Sequence, residues 1–93
     1  MLPRLQRFSC ADNKLTGSLP EDLSTMEDCE AFFADHNQFT GALPQQLPTK
    51  LWYLDLGYNQ FTGSIPATWQ DATELGKISL RNNNLSGTVP AIY

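Results

Sequence analysis

One eight-residue pattern recurs four times along the chain, and it limits the possible folds more than any other feature. Its copies begin at Asn13, Asn37, Asn59 and Asn83, and each continues with a Leu or Phe, a Thr or Ser, a Gly and an aliphatic residue before a final Pro. The copies start 24, 22 and 24 residues apart (13 to 37, 37 to 59, 59 to 83). A fixed period of this length is typical of a solenoid, in which each repeat packs only on its neighbours. The sequence therefore predicts one array of stacked repeats.

The boundaries of the repeats follow from aligning the four copies. The repeats run about 1–20, 21–44, 45–66 and 67–90, and residues 91–93 begin a fifth. The first repeat lacks its opening residues, the fifth stops early, and neither end carries the polar cap that an array normally has. We therefore expect a single repeat array that is a fragment of a longer protein.

Each repeat is expected to contain a short parallel strand just before its Asn. Apolar residues two positions apart, such as Phe32 and Ala34, are typical of a strand with one buried face. Ahead of the strand, apolar residues recur at every third position, as at Leu23 and Met26, which favours a 3₁₀-like turn. The third repeat is two residues shorter and carries Pro48 in this segment. There we expect an extended segment instead.

The recurring Asn and Gly residues are predicted to be structural. An Asn amide group has two donors and one acceptor, so one Asn per repeat can form a ladder that satisfies backbone groups in the turn after the strand. Gly permits a backbone conformation or a close approach that a Cβ atom would prevent. The residues concerned are Asn13, Asn37, Asn59 and Asn83 for the ladder, and Gly17, Gly41, Gly63 and Gly87 for the turn.

With these residues in register, nearly the whole chain resembles the plant-type leucine-rich repeat, L-x-x-L-x-L-x-x-N-x-L-x-G-x-I-P. The resemblance implies an α/β class, right-handed solenoid with a short parallel β-sheet on its concave face and 3₁₀ or irregular turns on its convex face. Such repeats are similar to those in the ectodomains of plant and green-algal receptor-like kinases and receptor-like proteins, and in polygalacturonase inhibitors. Those repeats bind ligands or dock receptors and are not catalysts. The paired-cysteine caps of those ectodomains are missing here, so the subfamily stays open.

Composition narrows the classes of partner. The formal net charge is -4, which argues against nucleic acid, because a basic face supplies most of that affinity. The sequence has no run of about 18 apolar residues, so we expect no direct membrane insertion. Cys10 and Cys29 are placed on opposite sides of the predicted core, and we do not expect them to form a disulfide.

The outward-facing residues of the predicted sheet form the candidate binding surface. Side chains alternate between the two faces of a strand, and neighbouring strands lie about 4.8 Å apart, so outward residues of successive repeats form columns. An aromatic group with a rim of mixed charge is typical of binding hot spots. The alternative is cross-strand packing on a solvated face that binds nothing. The candidate ligand-binding residues are Phe33, Asp35, His36, Tyr53, Asp55, Tyr58, Lys77 and Arg81.

Neither catalysis nor metal binding is expected at His36. A catalytic site needs a nucleophile and a base in hydrogen-bond geometry inside a pocket. The face is open, and the adjacent residues Asp35 and His36 are expected to diverge. One His with scattered carboxylates supplies too few ligands for a metal ion. The sequence therefore predicts no enzyme, no metal site and no cofactor.

Together these features favour a non-catalytic recognition module of a receptor-like or secreted protein. It would bind a protein or peptide, or else a glycan, on the concave face, and the resemblance favours the extracellular side of the plasma membrane or secretion. The alternative is an intracellular scaffold protein, in the cytoplasm, without a dedicated ligand site. Asn84, followed by Leu85 and Ser86, forms an N-glycosylation sequon. The sequon matters only if the parent protein is secreted.

Overall fold

Two parallel sheets run along the repeat array, and every repeat gives one strand to each sheet. The computed structural model describes residues 6–86. The first sheet consists of β1 (Arg7–Ser9), β3 (Ala31–Phe33), β5 (Tyr53–Asp55) and β7 (Lys77–Ser79). The second sheet consists of β2 (Thr16–Gly17), β4 (Gln38–Gly41), β6 (Gln60–Gly63) and β8 (Asn84–Leu85). The solenoid predicted from the sequence is confirmed.

The strands of the first sheet pair with equivalent residues side by side. Arg7, Ala31, Tyr53 and Lys77 form one row across the four strands. The backbone ladder continues beyond the strand ends, where Ala34 N–H, for example, donates to the carbonyl of the next repeat at 2.9 Å. Because the register is the same throughout, residues at one position of the repeat are held about one strand spacing apart.

The hydrophobic core lies between the two sheets and the turns. Phe32 and Leu54 occupy inward positions of the first sheet and are 2% and 0% exposed. Phe61 faces them from the second sheet and is also fully buried. Burying a side chain of this size contributes about 1.5–3 kcal/mol. The side chains of the first repeat are less covered, and Leu15 is 43% exposed.

The convex segments differ between repeats, and the third one, expected to be extended, contains a turn. In the second repeat, Met26 and Cys29 each bond a carbonyl three residues back at 3.1 Å, which makes two successive 3₁₀-like turns. The fourth repeat forms a 3₁₀ helix at Ala67–Asp71. In the third repeat, the segment holding Pro48 contains a single turn, closed by a 3.2 Å bond from Leu51 N–H to the Pro48 carbonyl.

Trp69 joins the fourth repeat to the second in a way the sequence pattern does not reveal. Its ring is 1% exposed, and Nε1–H donates to the Pro44 carbonyl at 2.7 Å. The neighbouring Thr68 hydroxyl donates to the Gln45 carbonyl at 2.6 Å. A buried indole usually finds such a partner, because a donor without one would be costly.

Asn59 shows how the recurring Asn connects neighbouring repeats. Its Nδ2 donates to the Ala34 carbonyl of the preceding repeat at 3.0 Å, and to the Leu56 and Gly57 carbonyls of its own repeat at 3.2 and 3.1 Å. Its Oδ1 accepts a 3.0 Å hydrogen bond from Phe39 N–H. One 8% exposed amide therefore satisfies backbone groups of two repeats.

The other ladder residues occupy the same place in their repeats. Asn37 accepts from Leu15 N–H at 3.1 Å, and Asn83 accepts from Phe61 N–H at 3.0 Å. Both also donate to a carbonyl of the preceding repeat, at 3.0 and 2.9 Å. Asn13 donates to two carbonyls within its own repeat, at 2.8 and 3.1 Å.

The recurring glycines have a left-handed backbone. Gly17, Gly41 and Gly63 have φ values of 89°, 83° and 80°. A side chain is strained in this region, whereas Gly adopts it readily. Gly87 lies outside the described residues.

Both cysteines are free thiols. Cys29 is fully buried, and its Sγ donates to the Ala31 carbonyl at 3.3 Å. Burial raises the pKa of the Cys29 thiol and, with a smaller contribution from the Asp35 charge, that of Cys10. Both groups therefore stay protonated and unreactive at neutral pH.

Candidate binding surface on the first sheet

Two aromatic rings lie between two cations on the outer face of the first sheet. The rings of Phe33 and Tyr53 meet edge to face, with centroids 4.9 Å apart. The Arg7 guanidinium lies 4.7 Å from the Phe33 ring centre, and the Lys77 ammonium lies 4.7 Å from the Tyr53 ring centre. A cation over an exposed ring is worth about 0.5–1 kcal/mol. These contacts fix the rings before any ligand arrives.

A second aromatic pair forms where the strands end. The rings of His36 and Tyr58 stack with centroids 4.3 Å apart and an interplanar angle of 16°. His36 Nδ1 lies 2.8 Å from Asp35 Oδ2 and 3.8 Å from Asp12 Oδ1. The expectation that Asp35 and His36 diverge is therefore wrong. His36 has left the strand conformation, with φ of 58°, and the turn brings its ring back towards the neighbouring carboxylate.

The same turn occurs in every repeat, directly before the ladder Asn. Its φ values are 58°, 58°, 55° and 57°, at Asp12, His36, Tyr58 and Asn82. A positive φ is uncommon for any residue other than Gly, although Asp, Asn and His adopt it more readily than most. Because four residues at equivalent positions have a positive φ, the repeat itself imposes this conformation.

Backbone hydrogen bonds tie these turns into one line, which we call the carboxyl-edge row. The row contains Asp12, Asp35, His36, Gly57, Tyr58, Arg81 and Asn82. The N–H of each turn residue donates to a carbonyl of the next repeat, at 3.1 Å from Asp12, 3.0 Å from His36 and 2.8 Å from Tyr58. The row is therefore as firmly held as the sheet beside it.

Gly57 lets the Arg81 side chain lie close to the third repeat. A Cβ atom at Gly57 would come within 3.2 Å of Arg81 Cγ and 3.3 Å of Asp55 Oδ1. The same carboxylate oxygen accepts a 3.0 Å hydrogen bond from Gly57 N–H. The absence of a side chain here brings an acidic and a basic residue to one small depression.

That depression has a volume of about 360 Å³. Six of the eight predicted ligand-binding residues line it, together with Ile78 and Ser79. The six are His36, Tyr53, Asp55, Tyr58, Lys77 and Arg81. Phe33 and Asp35 lie outside it, in contact with Tyr53 and His36 respectively. Ser79 was identifiable as an outward position, but a lone Ser carries little signal for binding.

The cations of the fourth repeat form no ion pair within residues 6–86. Within residues 6–86, ion pairs join His36 to two carboxylates and Lys50 to Asp28, the latter at 2.9 Å. Neither Lys77 nor Arg81 lies within ion-pairing distance of a carboxylate of this part of the chain. Their charges can therefore meet an anionic group of a ligand.

Ala31 and Asn84 lie outside the depression. Ala31 shares its row with the outward residues but is 7% exposed, because this small side chain lies between the longer Arg7 and Tyr53 in the sheet. Asn84, the residue of the sequon, is exposed on β8 of the second sheet.

The described part of the chain contains no group of three or more His, Cys, Asp or Glu residues arranged to hold a metal ion. It also contains no helix long and apolar enough to cross a bilayer. What the surface offers is rings, opposite charges and a shallow depression, which suit non-covalent contact.

Known proteins share this pattern of sequence and structure. The Leucine Rich Repeat family model matches residues 4–26 and 50–72. Receptor-like protein 18 of Arabidopsis thaliana is 30% identical over 88 residues, which cover 95% of this chain and 10% of that protein. The chain is a leucine-rich-repeat protein of the plant type.

Two solved structures resemble this chain in backbone as well as in sequence. A chain in the crystal structure of PEPR1–AtPEP1 superposes with a TM-score of 0.81 at 31% identity, covering 85% of this chain and 11% of that one. A chain in the BIR3–SERK2 complex from Arabidopsis thaliana superposes with a TM-score of 0.77 at 30% identity, covering 87% of this chain and 45% of that one. The chain thus spans less than half the length of these relatives. Its repeats are similar to those of a receptor-like protein and of chains from these two complexes.

Proposed function

We propose that the outer face of the first sheet, the concave face of the predicted arc, binds a protein or peptide without catalysing a reaction. The observation that carries the proposal is the pre-formed aromatic group, in which Phe33 packs on Tyr53 and His36 packs on Tyr58. The structural neighbours are chains from complexes, PEPR1 with AtPEP1 and BIR3 with SERK2. Receptor-like relatives favour a location on the extracellular side, as part of a longer protein.

Pre-organisation is what makes this face suited to binding. Tyr and Trp are enriched among the residues that dominate binding energy, because they give a large contact area for few rotatable bonds. The backbone of Tyr53 is held in β5, and Tyr58 N–H is bonded to the fourth repeat. These side chains would therefore lose little conformational entropy when a ligand binds to them.

The test is a displayed library of random peptides selected on the full 93-residue chain. We expect enriched peptides whose affinity falls about tenfold or more in the Tyr53→Ala, Tyr58→Ala double variant, since removing an anchor residue costs roughly 1–2 kcal/mol or more. Leu15→Ala is the control, because it removes an exposed apolar side chain that lies outside this face. Enriched peptides that bind the double variant unchanged would disprove the assignment of the site. Selection of glycans but no peptide on a parallel glycan array would replace the proposed ligand class.

A further inference from the structure

We propose that the carboxyl-edge row selects an extended peptide in which a basic residue, an apolar or aromatic residue and an acidic residue occur in that order at alternate positions. This inference rests on the proposed function of the same face and adds the chemistry and spacing of its ligand. It follows from the order of charge along the row, the spacing of the repeats and the accessible charged groups at the two ends of the row.

The charge along the row changes sign from the first repeat to the fourth. The acidic end consists of Asp12, whose side chain is 81% exposed, and Asp35, whose side chain is 15% exposed. The stacked rings of His36 and Tyr58 stand between the two ends, and Tyr58 is 39% exposed. Arg81, at the other end, is exposed and has no acidic partner among the described residues. A ligand that complements the row must carry the opposite order, basic and then acidic.

The spacing of the row matches an extended chain laid across the strands. Asp12 and Arg81 are three repeats apart, and neighbouring strands are separated by about 4.8 Å, so the two ends lie roughly 14 Å apart. An extended peptide advances about 3.3 Å per residue, so four residues span roughly 13 Å. Alternate side chains of that peptide point to the same side. The first and fifth residues of a five-residue segment can therefore reach Asp12 and Arg81, while the third lies over the stacked rings of His36 and Tyr58.

Both ends of the row keep room for a ligand group. Asp12 approaches His36 Nδ1 only at 3.8 Å, whereas Asp35 holds that nitrogen at 2.8 Å. Asp55 lines the same depression as Arg81 but forms no ion pair with it, and its Oδ1 accepts a hydrogen bond from Gly57 N–H. A guanidinium can bond a carboxylate through two parallel N–H groups, which favours an acidic residue at this end.

The experiment uses synthetic peptides and the isotope-labelled full chain, with binding followed by NMR chemical-shift titration at about pH 8, where an ordinary His is neutral. The first peptide has the order lysine, glycine, phenylalanine, glycine, glutamate and is capped at both ends, so that terminal charges do not contribute. The second has the same composition, with the lysine and glutamate adjacent to each other. The third replaces the glutamate with lysine. We expect the first peptide to bind about two- to fivefold more tightly per correctly placed charge than the other two, as exposed ion pairs contribute modestly.

Charge reversal in the protein separates this inference from general electrostatic attraction. Arg81→Glu is expected to reverse the preference, so that the peptide with two lysines binds more tightly than the one with glutamate. Lys14→Glu makes the same change in net charge at an exposed residue outside the row, and is expected to leave the preference unchanged.

The outcomes distinguish the two proposals. If all three peptides bind equally, or if Lys14→Glu has the same effect as Arg81→Glu, the inferred charge order is wrong even when binding still requires Tyr53 and Tyr58. If no peptide of this series binds while library peptides do, the charge order is wrong and the proposed function stands. If neither series binds, both are wrong.

Discussion

Replacing Asn59 with Ala tests whether the Asn ladder holds the repeats together. The change removes three donated hydrogen bonds and the one that Oδ1 accepts from the buried Phe39 N–H. Leaving a buried donor without a partner costs about 1–3 kcal/mol, and each further lost bond contributes about 1 kcal/mol or less. The Leu56 carbonyl keeps a 2.9 Å bond from Asn83, and the Gly57 carbonyl keeps one from His36 N–H. We therefore expect Asn59→Ala to lower the free energy of unfolding by about 3 kcal/mol.

Urea unfolding followed by far-UV circular dichroism measures this loss, with Asn13→Ala as the matched control. Asn13 is exposed, and its two hydrogen bonds stay inside one repeat. The same chemical change should therefore cost less than about 1 kcal/mol there. The ladder argument fails if the two variants lose the same stability, because the expected difference comes entirely from the bonds that Asn59 makes to a neighbouring repeat and to buried groups.

Three further experiments, one alkylation measurement and two substitutions, test other contacts. Burial raises the pKa of the Cys29 thiol, so iodoacetamide at about pH 8 should alkylate it at least tenfold more slowly in the folded chain than in urea; equal rates would contradict its burial. Trp69→Phe leaves the Pro44 carbonyl without the 2.7 Å indole bond and should cost about 2 kcal/mol in urea unfolding. Gly57→Ala pushes a Cβ atom against Arg81 at 3.2 Å, which should cost about 1–2 kcal/mol and weaken binding of the selected peptides; unchanged affinity would show that this contact does not shape the site.

The repeating part of the structure could be predicted from the sequence because each repeat gives the same evidence again. The spacing of Phe32 and Ala34 ahead of the Asn predicts that both face inward, and both are buried. Pro48 marks a convex segment without a helix, but the segment is not extended as expected, because Leu51 N–H closes a turn on the Pro48 carbonyl. In a solenoid, a local pattern determines the long-range pairing, since every strand pairs with the equivalent strand one period away.

The details of the candidate surface were less predictable. Simple strand alternation placed Asp35 and His36 apart, but the turn at His36 brings their side chains to 2.8 Å. Alternation holds only while the backbone stays extended, and the left-handed φ ends it one residue before the Asn. The bond from Trp69 to Pro44 does not follow from the pattern, because the equivalent residues Leu23 and Leu47 have no side-chain donor.

The four left-handed turns also carry a consequence for how large such a surface can become. A left-handed conformation costs about 1–2 kcal/mol for an ordinary L-residue and less for Asn or Asp. Tyr58 therefore displays its stacked ring at the expense of local stability, whereas Asp12, His36 and Asn82 adopt the same turn more readily. An array that widened its aromatic surface by placing a Tyr in every such turn would gain less stability from each added repeat. At this one position of the repeat, a wider aromatic surface therefore comes with a less stable solenoid.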